Sequence, residues 1–330
     1  MPERLAASSG EDVRILCGVE SASYIDAFER GWQSDRYFSG GYVSQMPRAH
    51  SLIGTRDQRL YQNSRNGQFQ YDIPLRAGTY QLKLYFAETM YGDNNVAGGG
   101  ETSRIFNVSA NGKSLLRDFD VIGDAGSATA DVKVFKDIGP DTDGKLHLVF
   151  LPSTNAAFVN AIEILPGVPG KIRPIRIVAR DRGLKDSQGR YWDPDRYAKG
   201  GQLIARPDSN VQSQEAEFYR SERFGNLTYT IPVADRGRYG VNLYFAENWF
   251  GPGMPGGGAG LGARLFDILI NGVAVRRNFD IFKAAGGTSH AAVVNLHGVE
   301  PNHQGKVVIS LIPAQNYACI NALEVVDESK

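Results

Sequence analysis

In the segment YQLKLYF, Tyr80, Leu82, Leu84 and Phe86 fall on one face of an extended chain, and Gln81, Lys83 and Tyr85 on the other. The alternation returns in YGVNLYF, with Tyr239, Val241, Leu243 and Phe245 as the apolar row. Period-two patterning of this length predicts a half-buried strand. RIFNVSANG alternates more loosely, with Phe106, Val108 and Ala110 on its apolar side, and KLHLVFL puts Leu146, Leu148 and Phe150 together. Asn111-Gly112 and Asn271-Gly272 are two-residue turn signals of the type I′ hairpin. No long stretch carries a 3.6-residue period. Many short strands separated by turn signals predict an all-β protein of antiparallel sandwiches.

The pattern is written twice. GWQSDRYFSGG answers RYWDPDRYAKGG, LYQNSRNGQFQYDIP answers EFYRSERFGNLTYTIP, RIFNVSANGKSLLRDFD answers RLFDILINGVAVRRNFD, and FVNAIEIL answers CINALEVV. Trp32 to Trp192 is 160 residues, Tyr71 to Tyr229 is 158 and Asn160 to Asn321 is 161. A drifting offset of that size describes duplicated domains with loop insertions, because a solenoid repeat is far shorter. The domains are expected at residues 11–168 and 172–327, joined by the Pro/Gly-rich LPGVPGKIRP.

Each copy of LYFAE leads into a glycine-rich loop. Strand parity keeps Glu88 and Glu247 on the inner face, two residues beyond Phe86 and Phe245. Arg104 and Arg264, two residues before Phe106 and Phe266, also face inward. A buried carboxylate needs a partner or it protonates. Ion pairs Glu88–Arg104 and Glu247–Arg264 are therefore expected at the loop bases, which removes these glutamates as catalytic acids. The loops open on Met90-Tyr91 and Trp249-Phe250. Trp249 reads either as a ligand-contacting ring or as a lid on the sandwich end; its place between a strand and a glycine run favours contact.

Lys+Arg and Asp+Glu both total 36 in the 330 residues, so no global field favours nucleic acid or an anionic membrane. The basic run KIRPIRIVARDR reads as linker and edge strand. No apolar stretch is long enough for a membrane helix, and MPERLAASSGEDVRI has no apolar core of a signal peptide. Cys17 and Cys319 fall in opposite repeats, so no disulfide is expected between them. His50, His147, His290, His297 and His303 have no metal-ligand spacing, and no phosphate-loop, zincin or serine-hydrolase motif occurs. RDFDVIGDAG is acidic enough to consider a structural calcium, but its counterpart RNFDIFKAAG carries Lys283 there, so no cofactor is expected. Asp35 and Asp195 read as turn or cap residues.

The ordered set WxxDRY, the YxIP segment, FAE, RxF followed by NG, FD(I/V) and NA(I/L)E resembles the malectin domain family, over nearly the whole chain and in both repeats. The resemblance implies two tandem jelly-roll β-sandwiches of the galactose-binding-domain type, non-enzymatic and extracytoplasmic. The family's founding member is an endoplasmic-reticulum lectin for glucose-terminated N-glycans; relatives include bacterial carbohydrate-binding modules and tandem ectodomains of plant receptor kinases. By motif position, its carbohydrate contacts correspond to Phe224, Trp249, Phe250 and Asn316 in repeat two, and to Asn66, Tyr91 and Asn155 in repeat one. A further Tyr-Gly contact falls near Gly40-Gly41-Tyr42 and Gly200-Gly201. Asn stands in both repeats where the family lectin has Asp. The resemblance thus implies a glycan partner contacted mainly through domain 2, with a protein or peptide partner as the alternative. A glycosidase is disfavoured, since no repeat offers two unpaired carboxylates.

Overall fold

The computed structural model describes residues 10–21, 23–46, 51–93, 95 and 97–330. His50 and the opening residues 1–9, read above for metal spacing and a leader, lie outside them. The chain divides into two compact units that change over between Arg173 and Pro174, with Pro232–Asp235 grouped with the first. Each is a β-sandwich.

In domain 1 one sheet runs in the order Val13–Leu16, Ala161–Pro166, Tyr80–Phe86, Asp131–Ile138. The facing sheet centres on Asn63–Pro74, flanked by Phe38–Gln45 on one edge and by Lys145–Thr154 and Ala157–Val159 on the other. Ile105–Ala110 and Lys113–Phe119 complete it. The rows read from the alternation are the core: Leu82, Leu84 and Phe86 meet Val108, Leu146, Leu148 and Phe150, all at 1% exposure or less. Phe69 stacks on Phe150 at 4.6 Å, and Phe86, Phe106 and Phe119 pack edge to face or tilted within 5.8 Å. Asn111 and Gly112 turn at φ 48° and 76°, and Asn271 and Gly272 at 48° and 81°, the positive values a type I′ turn requires.

Domain 2 repeats the plan. One sheet runs Leu184–Lys185, Tyr191–Pro194, Ile175–Val178, Ala322–Asp327, Tyr239–Ala246, Ala291–Val299. The other runs Ala198–Ala205, Ser221–Pro232, Lys306–Gln315, Leu265–Ile270, Val273–Phe279, with Ala318–Ile320 also on Ser221–Pro232. Ile175–Val178 lies inside its sheet, so the edge-strand expectation for the basic run is corrected. Its Ile177 and Val178 are buried and pair with residues on both sides.

The half-buried expectation for the first alternating strand also fails, because Gln81 and Tyr85 are each 2% exposed. Tyr85 packs edge-on to Trp32 at 5.5 Å and Tyr61 at 6.2 Å, and its hydroxyl donates to Glu163 Oε2. In domain 2, Trp192, Phe218 and Tyr219 cover the outer face around Tyr244. A second aromatic layer thus seals the outside of each first sheet. Trp32 and Trp192 are anchored by indole N–H bonds of 2.8 and 2.9 Å to Asp26 and Asp186. Burial opposes charge on Asp186, yet hydrogen bonds from Trp192 and Arg190 hold its carboxyl down at about 2.

Asp35 and Asp195 do more than turn the chain. Asp35 accepts from Arg65 Nε and the Tyr71 hydroxyl, both at 2.8 Å, and from Gly18 N at 2.6 Å. Asp195 accepts from Arg223 Nη2 at 2.6 Å and from the Tyr229 hydroxyl. Tyr71 and Tyr229 are buried at 0% and 1%, so each phenol must find an internal acceptor, and the aspartate supplies it.

Candidate functional site

The site is built on the two glycine-rich loops. Glu88 and Glu247 are 2% and 1% exposed, and each uses one oxygen to hold the start of its loop. Glu88 Oε1 accepts from the N–H of Met90 at 2.8 Å and Tyr91 at 3.3 Å; Glu247 Oε1 accepts from Trp249 and Phe250, both at 3.0 Å. The other oxygen meets the arginine that ends the loop. Arg264 forks onto Glu247, Nε to Oε2 at 2.7 Å and Nη2 to Oε1 at 3.1 Å. Arg104 Nε lies 2.8 Å from Glu88 Oε2, but off the N–H direction, so this contact is an ion pair without an aligned hydrogen bond.

The far end of each loop is fixed by a helix cap. Asp120 caps Val121–Ala125 and also accepts from Thr102 N; Asp280 caps Ile281–Ala285 and accepts from Gly262 N at 2.8 Å. Between these points the loop closes on itself, through Gly251 N to Gly257 O at 3.0 Å and Gly256 N to Trp249 O at 2.7 Å. Domain 1 repeats the pattern with Gly92 N to Gly98 O and Ala97 N to Met90 O, both 2.9 Å. Glycine is needed where the loop lies on the helix. At Gly260, with φ 83°, a Cβ would come within 2.3 Å of the Phe282 ring. These loops are therefore set structures that present their opening aromatics at defined positions.

In domain 2 those aromatics gather at the sandwich end. Arg264 lies with its Cζ 5.2 Å from the half-buried Phe250 ring, and its Nη1 donates to the Tyr317 carbonyl. Tyr317 is 62% exposed and meets Phe224 edge-on at 5.9 Å. Trp249, 36% exposed, has one face near Arg206 Cζ at 4.9 Å and one edge against Gly256. Arg206 is held by Glu222 Oε1 at 2.7 and 3.1 Å. Trp249 is thus seated on its own domain and open to solvent, which combines the two readings of its sequence position. Asn316 is exposed at φ 56°, and its Nδ2 donates to Ala263 O at 2.6 Å. An aspartate cannot make that bond; the amide ties the turn to the loop end and leaves Oδ1 as an acceptor. Sequence reasoning passed over Tyr317, Arg206 and Glu222. The signal for Tyr317 lies in the segment PAQNYACIN, where an aromatic follows a left-handed turn residue.

Domain 1 lacks this cluster. The registers Ala157↔Gly67 and Ala318↔Gly225 equate Tyr317 with Ala156 and Phe224 with Asn66. Asn66 is 3% exposed; its Oδ1 accepts from Arg104 Nη1 at 2.9 Å and its Nδ2 donates to Ser64 Oγ at 2.7 Å. It forms part of the wall, which corrects its expected place as an accessible contact. Tyr91 is half-buried with Arg104 Cζ 5.2 Å from its ring, and Asn155 Nδ2 donates to Ser103 O at 2.7 Å. An exposed aromatic does stand opposite Asn66, namely Tyr42 at 58%, on the neighbouring strand.

Other chemistry is spoken for. Among the described residues no group of three or more His, Cys, Asp or Glu gathers to hold a metal. Asp120 is a helix cap and Asp124 pairs with Lys133 at 3.1 Å, so the acidic run is engaged internally. Cys17 and Cys319 are buried thiols, pushed up by that burial. Among the described residues no helix is long and apolar enough to cross a membrane.

Paired sandwiches, each with a glycine-rich loop clamped between a buried Glu and a buried Arg, define a class of tandem β-sandwich modules. The chain belongs to the Malectin domain family, whose sequence model matches residues 12–159 and again 175–328. A probable receptor-like protein kinase of Arabidopsis thaliana is 28% identical over 262 residues, 73% of this chain and 30% of that protein. Malectin-B of Xenopus laevis is 32% identical over 93 residues, 28% of this chain and 29% of that protein. The chain thus spans about a third of the length of these two curated relatives. Among solved structures, the plant receptor-like kinase FER superposes with a TM-score of 0.51 at 19% identity, covering 96% of both chains, which is a likeness of fold.

Proposed function

We propose that the chain is a non-catalytic carbohydrate-binding protein acting outside the cytoplasm, and that domain 2 carries its principal site. The observation behind this reading is the set of rings at one end of domain 2: Phe250 and Tyr317 beside Arg264, Phe224 edge-on to Tyr317, and Trp249 on Arg206, on a loop fixed by Glu247. Aromatic faces suit the C–H face of a pyranose, while Asn316 Oδ1 and loop backbone groups serve its hydroxyls. Preformed sites lose little entropy on binding. Family membership supports the class of partner.

A glycan-array screen of the intact chain beside Trp249→Ala and Tyr317→Ala tests the reading and assigns the sugar and linkage. Binding to a glycan class that both substitutions abolish supports it. Binding that survives both removes domain 2's ring cluster as the site. A protein or peptide partner is the second reading, favoured by domain 1, whose equivalent end has Asn66 buried and Ala156 in place of an exposed ring. Absence of glycan binding by any form would turn the search to that partner.

A further inference from the structure

Domain 2 carries a second concavity of about 270 Å³, lined by Arg180, Asp181, Arg182, Leu203, Arg220 and Ser221 among others, three arginines against one aspartate. Glu217 divides its carboxylate between two of these arginines, Oε1 to Arg220 Nε at 3.2 Å and Oε2 to Arg180 Nη1 at 3.6 Å. That carboxylate is 57% exposed and is therefore a replaceable partner. Arg182 is exposed and forms no ion pair to a described residue. Ser221, 6% exposed, also lines the groove, and its buried Oγ has no hydrogen-bond partner.

The fold does not require these charges. The matching bonds Asp35 N to Val19 O and Asp195 N to Arg180 O equate Arg180 with Val19, and by count Arg182 with Ser21. Arg65↔Val159 and Arg223↔Ile320 equate Arg220 and Ser221 with Gln62 and Asn63. Domain 1 builds the same corner with no arginine at any of the three positions. Guanidiniums are fork donors matched to carboxylate and sulfate oxygens.

We infer that the Arg180–Arg182–Arg220 groove is an oxyanion subsite that recognises a carboxylate or sulfate carried on a glycan, with Glu217 holding the place of that anion in the free protein. The choice of a glycan as the carrier rests on the carbohydrate reading above. The oxyanion chemistry rests on the arginines alone.

Calorimetric titration of the full chain with a sulfated heparin hexasaccharide, hexagalacturonate and neutral maltohexaose, at about 50 and about 300 mM NaCl, tests the subsite. Binding of at least one anionic probe is expected, weaker at the higher salt, and the stronger of the two identifies sulfate or carboxylate. The combined Arg180→Ala, Arg182→Ala and Arg220→Ala variant is expected to lose about tenfold or more for the anionic probe. Glu217→Gln removes the internal competitor and is expected to tighten anionic binding about threefold, a gain that misfolding does not imitate. Failure of both anionic probes to bind, or binding unchanged in the triple variant, overturns the inference. Anionic binding that depends on the arginines, with no maltohexaose binding and no effect of Tyr317→Ala, retains the groove and removes the ring-cluster reading.

Discussion

Replacing Glu247 by Gln isolates what the buried clamp contributes. Gln keeps an acceptor for the N–H groups of Trp249 and Phe250 but places an amide where Oε2 now meets Arg264 Nε at 2.7 Å. Donor then faces donor, and the Arg264 cation, 4% exposed, loses its counter-charge. Breaking a buried pair on one side costs about 3–5 kcal/mol. For a domain of this size that is a fall of about 6–20 °C in its melting temperature. Glu88→Gln is the internal control. There the pair is one unaligned contact at 2.8 Å, and Arg104 keeps Asn66 Oδ1, the Ala156 carbonyl and the Phe158 ring at 4.5 Å, so a smaller loss of about 1–3 kcal/mol is expected. Calorimetry of each variant gives the loss. Iodide quenching reports the loop, because Trp32 and Trp192 are 1% exposed and Trp249 is 36% exposed. The double variant Glu247→Leu with Arg264→Met should recover stability while releasing Trp249, since apolar pairs replace buried ion pairs at little cost but cannot cap the loop. Equal losses in the two domains, or a loss under about 1 kcal/mol for Glu247→Gln, would refute the argument that fork geometry and burial decide the cost.

Acid sensitivity should centre on Glu163. Burial works against its charge, but Lys83, Arg30 and Arg14 outweigh burial and hold its carboxyl far below the ordinary 4.5. The stabilisation is thus complete above that value and is lost as pH falls below it; Glu163→Gln should flatten the acid limb of stability measured by urea melts. His147 has the opposite sign. Its hydrogen bond to Asp72, aided by Asp143, raises it above 6.5. That small contribution is present below pH 6.5 and disappears as pH rises through the folded value, and His147→Gln should abolish the slope; an imidazole NMR titration midpoint at or below 6.5 would contradict it. Gly260→Ala must push Phe282 aside as well as adopt φ 83°, whereas Gly258→Ala, with φ 78° and open space, meets strain alone. Limited proteolysis should therefore cut the Gly260 variant's loop well before that of Gly258→Ala.

The fold was legible because the inner row of YQLKLYF and YGVNLYF follows strict alternation, and because the duplication repeats the Asn-Gly turn signal. The inward Glu and Arg were legible for the same reason: parity carries across a loop when both flanking strands are regular. Alternation was silent about the outer face. Tyr85 and Gln81 look like solvent-facing residues in YQLKLYF, and the segments that cover them, around Trp32 and Tyr61, have no periodicity of their own. Asn66 was misplaced because a motif position gives no depth; a register shift between Gly40 and Tyr42 in the neighbouring strand accompanies its position in the wall. Tyr317 was missed because it belongs to a turn rather than to the FAE loop.

The two copies also separate folding from binding without any third sequence. Groups that both domains use alike serve the sandwich: the Glu–Arg clamp, the Asp35 and Asp195 networks, the Asp120 and Asp280 caps, and the side chains of Asn160 and Asn321, which accept from Ala87 N and Ala246 N at 2.8 Å. Each has a partner whose loss would leave a buried polar group unpaired, so its presence is explained by stability. Seven residues of domain 2 have no chemical counterpart in domain 1. Phe224, Tyr317, Arg206, Glu222, Arg180, Arg182 and Arg220 stand where domain 1 has Asn66, Ala156, Met46, Ser64, Val19, Ser21 and Gln62. Domain 1 shows that the sandwich closes without them. Rings, a buried carboxylate and arginines that the sandwich does not need therefore call for an explanation outside folding, and Phe224 and Ser221, on opposite faces of their strand, make the ring cluster and the arginine groove two separate tests of it.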